Sequence, residues 1–155
     1  MAYFVNLSAT EELFLMETPV LITILIAGAD SEIDTAEINE AKMLLEKNGK
    51  GGQTELDHFY KKIIEDFELN LYNYLQKYPK ETNSRNQMIS EQLSQLNQIL
   101  PQLSDSIALQ FYDNMKDLAR HIAQASGGVL GYMAVDKEES KYMDLPMVNN
   151  PAHKS

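Results

Sequence analysis

Hydrophobic and polar residues along this chain follow the period of an α-helix, about 3.6 residues, and no run between turn signals alternates with the period of two that marks a β-strand. The pattern is most regular from Thr54 to Tyr78, where apolar residues recur at every third or fourth position. Similar one-sided segments run from the polar link 80–84 to Pro101 and from Ser104 to Ala125. These patterns predict three amphipathic helices and no strand.

The first 49 residues carry start and stop signals for further helices. Ser8-Ala-Thr-Glu11 has the spacing of a capping box, in which the serine and glutamate side chains bind free amides at a helix start. Pro19 predicts the start of a second helix, because proline fits best in the first turn. A third helix is predicted from Asp34 to Lys47, where Asn48-Gly49 is a stop signal. With a short helix at about 137–145, we predict an all-α, compact bundle of six to seven helices.

Length and composition indicate one globular domain. The chain has 155 residues, of which 44% are hydrophobic, and this is enough for a single core. We predict one helical domain over residues 1–147 and a flexible C-terminal tail over 148–155. The longest apolar run, from Pro19 to Ala29, is shorter than the about 20 residues of a membrane span, and the N-terminus lacks the basic region of a signal peptide. We therefore expect a cytoplasmic protein without membrane insertion.

The charge and the residue types narrow the classes of function. The net charge is −10, and no basic stripe is available to neutralise phosphates, so nucleic acid is not expected as a partner. The chain has no cysteine, which excludes thiol catalysis and cysteine-bound metals. Because neither a Ser-His-Asp arrangement nor a glycine-rich phosphate loop is present, we predict that the protein is not an enzyme.

One segment is unusually acidic. Between residues 30 and 41 it contains five carboxylates and no basic residue. Helix capping explains Asp34 as the N-cap and Glu37 as the glutamate that binds the cap amide. Capping does not explain Asp30 and Glu32, because an acid after the preceding helix would meet the negative end of that helix's dipole. These two residues therefore suit a different role, the binding of a cation.

The acidic segment fits some cation sites and not others. A calcium EF-hand that began at Asp30 would need glycine at its sixth position and glutamate at its twelfth, where this chain has Thr35 and Ala41. A looser oxygen site remains open, and calcium or magnesium would suit its ligands. The candidate metal ligands are Asp30, Glu32, Asp34 and Glu37. The alternative is that the acids only start a helix and hold no ion.

Two segments of the chain share a layout and form a degenerate internal repeat. In each, an apolar helix is followed by small residues and then by an acid-capped helix, so that Asp34-x-x-Glu37 corresponds to Asp136-x-x-Glu139. The chain here resembles the TerB-like family, named for tellurite resistance proteins. The resemblance rests on Ala29-Asp30-Ser31-Glu32-Ile33-Asp34-x-x-Glu37 and on Ala125-Ser126-Gly127-Gly128-Val-Leu-Gly131, and it covers roughly residues 18–48 and 110–145.

The resemblance implies an all-helical bundle of paired repeats that is linked to stress responses and binds metal through these acids. The family's first motif usually has glycine where this chain has Ser31. Two hypotheses of function follow. The first is a non-enzymatic stress-response or sensing module whose shape depends on a divalent cation. The second is a structural interaction module without a metal site, whose helical faces dock a protein partner or a second copy of itself. The tyrosine-rich side of the 54–78 helix could equally be part of the core or a dimer interface.

Overall fold

The computed structural model describes residues 4, 6–27, 35–50, 55–127 and 142–152. All regular structure in these ranges is helical, which confirms the predicted all-α class. The described ranges contain five helices of 12 residues or more, and the remaining α-helical segment is a single turn of four residues that is too short to count as a helix of the bundle. The predicted number of six to seven helices is therefore not confirmed. The helices are α1 (Ala9–Ala27), α2 (Thr35–Asn48), α3 (Glu55–Lys77), α4 (Thr82–Leu93), the one-turn α5 (Leu96–Ile99), which continues into a 3-10 turn at Leu100–Gln102, and α6 (Asp105–Gly127).

Helix α1 lies at the centre of the bundle. It packs against α2, α3, α4 and α6, and each residue from Thr18 to Ala27 is buried. A helix that is apolar on all sides has no face suited to water, so it is stable only when other helices surround it. No helix in the described part of the chain is both long enough and apolar enough to span a bilayer.

The prediction that Pro19 begins a second helix is wrong, because α1 continues through it. Proline cannot donate a hydrogen bond to Leu15, one turn earlier, and this usually costs a helix about 3 kcal/mol. The hydroxyl of Thr23 donates to the carbonyl of Pro19 at 2.7 Å, and that of Thr18 donates to Phe14 at 2.9 Å. The continuous helix buries its whole C-terminal half, and that burial outweighs the lost hydrogen bond.

The capping box at the start of α1 is confirmed. The backbone amide of Ser8 donates to Glu11 Oε1 at 2.9 Å, and the amide of Glu11 donates to Ser8 Oγ at 3.1 Å. The side chain of Gln102 donates to Glu11 Oε2 at 2.7 Å. The same glutamate therefore caps α1 and ties it to the 3-10 turn before α6.

The segment between α3 and α6 differs from the single helix that the sequence pattern predicts. Helix α4 begins at Thr82, inside the predicted link 80–84, because the carboxylate of Glu81 accepts the amide of Ser84 at 2.6 Å and caps the helix. The helix then ends at Leu93, and two turn residues precede α5. Pro101 lies within the 3-10 turn. The apolar period continues across this break, which is why periodicity alone predicts one helix.

The C-terminal segment 142–152 packs on the bundle. Leu145 and Val148 are 1% and 6% exposed. Asn97 of α5 bonds this segment twice: its Nδ2 donates to the carbonyl of Met147 at 3.0 Å, and its Oδ1 accepts the amide of Asn149 at 2.7 Å. Of the helix predicted at 137–145, residues 137–141 lie outside the described part, Tyr142 is helical, and residues 143 and 144 form a turn. The tail boundary predicted at residue 148 stays a prediction, although Val148 itself is buried.

Candidate functional site

The acidic segment lies almost entirely outside the described residues. Asp30, Glu32 and Asp34 fall in the range 28–34, so their positions and mutual distances are not described. The second half of the internal repeat, residues 128–141, also lies outside the description. Neither the metal site nor the repeat is therefore tested by the fold.

Glu37 is the one candidate metal ligand that the structure places. It lies in the first turn of α2, and its side chain is only 2% exposed. The positive end of the helix dipole stabilises a carboxylate at this position. Helix α2 packs against α3 and α6, so this carboxylate belongs to the buried side of a helix in the bundle.

Within the described ranges, no three histidine or acidic side chains come together in a way that could hold a metal ion. This finding covers Glu37 together with its described neighbours. It does not cover the three ligands predicted at positions 30, 32 and 34, which lie outside the described residues.

A second group of polar side chains lines a cleft between α1 and α3. Glu17 of α1 faces four residues of α3, and the cleft, which is open to solvent, has a volume of about 180 Å³. The α3 residues occur at intervals of three, one and three positions, which places them on one face of the helix. They are Asn70, Asn73, Tyr74 and Lys77.

One aromatic side chain, that of Tyr74, lines this cleft, and a second ring stacks on it. The rings of Tyr74 and Tyr78 are stacked, with centroids 5.6 Å apart and an interplanar angle of 18°. The ammonium group of Lys77 lies 5.5 Å from the centre of the Tyr74 ring, within the distance of a cation–π contact. The ammonium group of Lys77 therefore already lies against the face of the Tyr74 ring.

Glu17 sets the electrostatics of the cleft. Burial raises the pKa of Tyr74, and the hydrogen bond with Glu17 and the charge of that carboxylate raise this pKa further. Burial, and then the charge of Glu17, also raise the pKa of Tyr78. Both phenols therefore stay protonated at neutral pH, where they act as hydrogen-bond donors.

Large apolar side chains are exposed beside the cleft. On α3, Leu69 and Tyr72 are each 62% exposed, and they directly precede the cleft residues Asn70 and Asn73, about 100° away round the helix axis. On α1, Leu13 is 55% exposed and lies one turn before Glu17.

Sequence reasoning missed this cleft. The tyrosine-rich side of α3 is predicted to be either core or an interface, and its tyrosines in fact have different environments. Tyr60 is fully buried and accepts a hydrogen bond from Asn114 at 2.9 Å, whereas Tyr72 is exposed. The polar positions on α3 repeat with helical spacing and gave a usable signal, but the carboxylate that completes the cleft comes from another helix.

Comparison of the chain with protein-family models, curated proteins and solved structures gives no match. The TerB-like resemblance therefore rests on the two motif segments alone. What it implies about function enters below as a proposal.

Proposed function

We propose that this chain is a cytoplasmic, non-enzymatic, TerB-like helical domain that binds calcium or magnesium at the acidic segment between α1 and α2 and acts in stress response or sensing. The proposed ligands are Asp30, Glu32, Asp34 and Glu37. Capping accounts for the last two residues but not for Asp30 and Glu32, and a hard divalent cation prefers such closely spaced carboxylates.

The observation that carries the proposal is the deep burial of Glu37, which is 2% exposed. A carboxylate is expensive to remove from water, and buried ones are stabilised by charge partners, hydrogen bonds or metals. The N-terminus of α2 already favours negative charge at this position. A cation bound to the preceding acids would add to that stabilisation, since it would lie at the same end of the same helix.

Ion binding would act on the geometry of two helices. The cation would offset the mutual repulsion of Asp30, Glu32 and Asp34 and would fix the angle between α1 and α2. Helix α1 ends in fully buried residues, so it gives a rigid support on one side. The movable side is α2, whose contacts with α3 and α6 would pass the change to the rest of the bundle.

Calorimetric titration of metal-free protein tests the site. We expect calcium or magnesium to bind the natural chain, and the Asp30→Ala/Glu32→Ala variant to lose that binding, while manganese and zinc establish the selectivity. The matched control is Glu46→Ala/Glu91→Ala, which removes two exposed helical acids and should bind as the natural chain does. If no ion binds at physiological concentrations, or if the double variant at 30 and 32 binds equally well, the metal site is refuted.

The second candidate function is a structural interaction module without a metal site. Its support is the exposure of large apolar side chains on α3, where Leu69 and Tyr72 are each 62% exposed. The two residues are three positions apart and are therefore neighbours on the helix surface, and exposed apolar side chains that form a patch mark protein interfaces. Sedimentation equilibrium checks the case of a second copy: we expect a dimer that Leu69→Lys/Tyr72→Lys dissociates. A monomer at all concentrations would contradict self-association.

A further inference from the structure

We infer that the cleft between α1 and α3 is a docking site for an arginine side chain in a basic segment of a protein partner. In this arrangement the guanidinium group would pair with the carboxylate of Glu17 and stack on Tyr74. The amides of Asn70 and Asn73 would bind the remaining donors of the guanidinium group or the adjacent peptide backbone.

The size of the cleft favours a single side chain. Its volume is about 180 Å³, whereas pockets for small molecules and cofactors usually enclose about 300–1,000 Å³. The cleft is also open to solvent along the groove between two helices, so a peptide that inserts one residue can continue over the surface on either side. The exposed Leu69 and Tyr72 offer apolar contacts there.

The lining groups match a guanidinium group. Arginine presents five planar N–H donors that bind a carboxylate in a two-pronged arrangement, and its flat face stacks on aromatic rings. Glu17 supplies the carboxylate, and although Tyr74 donates to it, an ionised carboxylate accepts about four hydrogen bonds. Tyr74, which lines the cleft and stacks on Tyr78, supplies the aromatic surface.

The chain's own lysine shows that this ring attracts a cation. Lys77 lies 5.5 Å from the centre of the Tyr74 ring, and its side chain is exposed and free to turn toward solvent. An incoming arginine must displace or avoid this ammonium group. Lys77 is therefore a competitor of the ligand, and its removal should strengthen binding.

The charge of the protein selects a basic partner over an acidic one. Residues 1–78, which contain both sides of the cleft, have 14 acidic and 6 basic residues, a net charge of −8. A field of this sign steers cationic segments toward the surface and repels anionic ones. Among the described residues that line the cleft, Lys77 is the one basic residue, and the carboxylate of Glu17 on the opposite helix would repel an anionic ligand.

Fluorescence anisotropy with a labelled Gly-Ser-Arg repeat peptide tests the proposal. We expect Glu17→Gln to weaken binding about tenfold, because a charge-assisted hydrogen bond is lost, and Tyr74→Leu to weaken it several-fold. Lys77→Gln should tighten binding about threefold, since it removes the competing cation. Misfolding of a variant would not increase its affinity for the peptide, so tighter binding by Lys77→Gln cannot be attributed to misfolding.

The chain contains a matched control for the lysine variant. Lys116 lies 5.5 Å from the centre of the Tyr112 ring on α6, so Lys116→Gln makes the same change in charge over the same kind of ring, away from the cleft. We expect it to bind the peptide as the natural chain does. Equal tightening by both lysine variants would mean that only the overall charge matters, and the proposal would fail.

Three further outcomes would overturn the proposal. The peptide could fail to bind, it could bind all cleft variants with one affinity, or a peptide with citrulline in place of arginine could bind equally well. The last measurement is the affinity of the cleft for free arginine. If it binds as tightly as the peptide does, the cleft is a small-molecule site and not a docking site for a protein.

Discussion

Gly49 shows how a single residue sets the distance between two helices. It directly follows α2, and its amide lies 3.2 Å from the carbonyl oxygens of both Leu45 and Glu46. A Cβ atom added at this position would lie 3.3 Å from Cβ of Tyr60 and 3.6 Å from the backbone of α3. The stop signal at the end of α2 is therefore also a point of close contact with α3.

The Gly49→Ala variant should destabilise the protein by about 1 kcal/mol, at the lower end of the usual cost of overpacking. Tyr60 cannot move aside easily, because it is fully buried and its hydroxyl is bonded to Asn114. Urea denaturation measures the change. Lys50→Ala, at the exposed neighbouring position, is the control and should have little effect. Unchanged or increased stability of Gly49→Ala would contradict this account of the contact.

Two of the helices begin with glutamates that bind backbone amides. Glu11 accepts the amide of Ser8, and Glu81 accepts the amide of Ser84. These hydrogen bonds lower the pKa of each glutamate below its ordinary value of 4.5, with Gln102 as a second cause at Glu11. Because both carboxylates are more acidic in the folded state, their contribution to stability is present above pH 4.5 and is lost as the pH falls through the lowered pKa.

Replacing both capping carboxylates should therefore make the protein less sensitive to acid. At neutral pH, Glu11→Gln/Glu81→Gln should melt at a lower temperature than the natural chain. The difference should shrink below pH 4.5, because the glutamates of the natural chain become protonated there. Thermal melting followed by circular dichroism over this pH range checks the prediction. A difference in melting temperature that does not depend on pH would mean that charge is not what these caps contribute.

Helical periodicity predicted α3 and α6 almost to the residue, because both helices have one apolar side and one polar side. It failed at Pro19 and at the break after Leu93. In the first case the burial of α1 on all sides outweighs a local rule about proline, and in the second the apolar period continues through a turn. Local rules describe what a segment prefers by itself, whereas these two positions depend on what surrounds them.

The two candidate sites also differ in whether the sequence alone reveals them. The acidic segment is visible in the sequence because its members are neighbours along the chain. The cleft is not visible, because Glu17 and Tyr74 are far apart in sequence and meet only when α1 packs on α3. Sequence patterns therefore point to local sites and miss sites that are assembled between helices.

At the scale of the whole molecule, Asn97 joins the C-terminal segment to the bundle. Its side chain bonds Met147 and Asn149, and Leu145 and Val148 of the same segment are buried. An ion pair between Arg120 Nη2 of α6 and Asp144 Oδ1, 3.7 Å apart, also joins this segment to the bundle, but both side chains are exposed to solvent. Because exposed ion pairs contribute little to stability, we expect the Asn97 hydrogen bonds and the buried apolar side chains to hold the segment. Segments with this kind of attachment open locally at a lower free energy than the core does.

Asn97→Ala should release the C-terminal segment without unfolding the bundle. Two hydrogen bonds are lost, each worth about 0.5–1.5 kcal/mol, so amides in 142–152 should exchange with deuterium faster by roughly tenfold or more, while those of α1 and α3 keep their protection. Hydrogen exchange followed by mass spectrometry measures both regions at once. Gln98→Ala, which removes the exposed amide next to Asn97, should leave both regions unchanged. Faster exchange throughout the bundle in Asn97→Ala would instead make this segment part of the cooperative core, because its release would then unfold the helices with it.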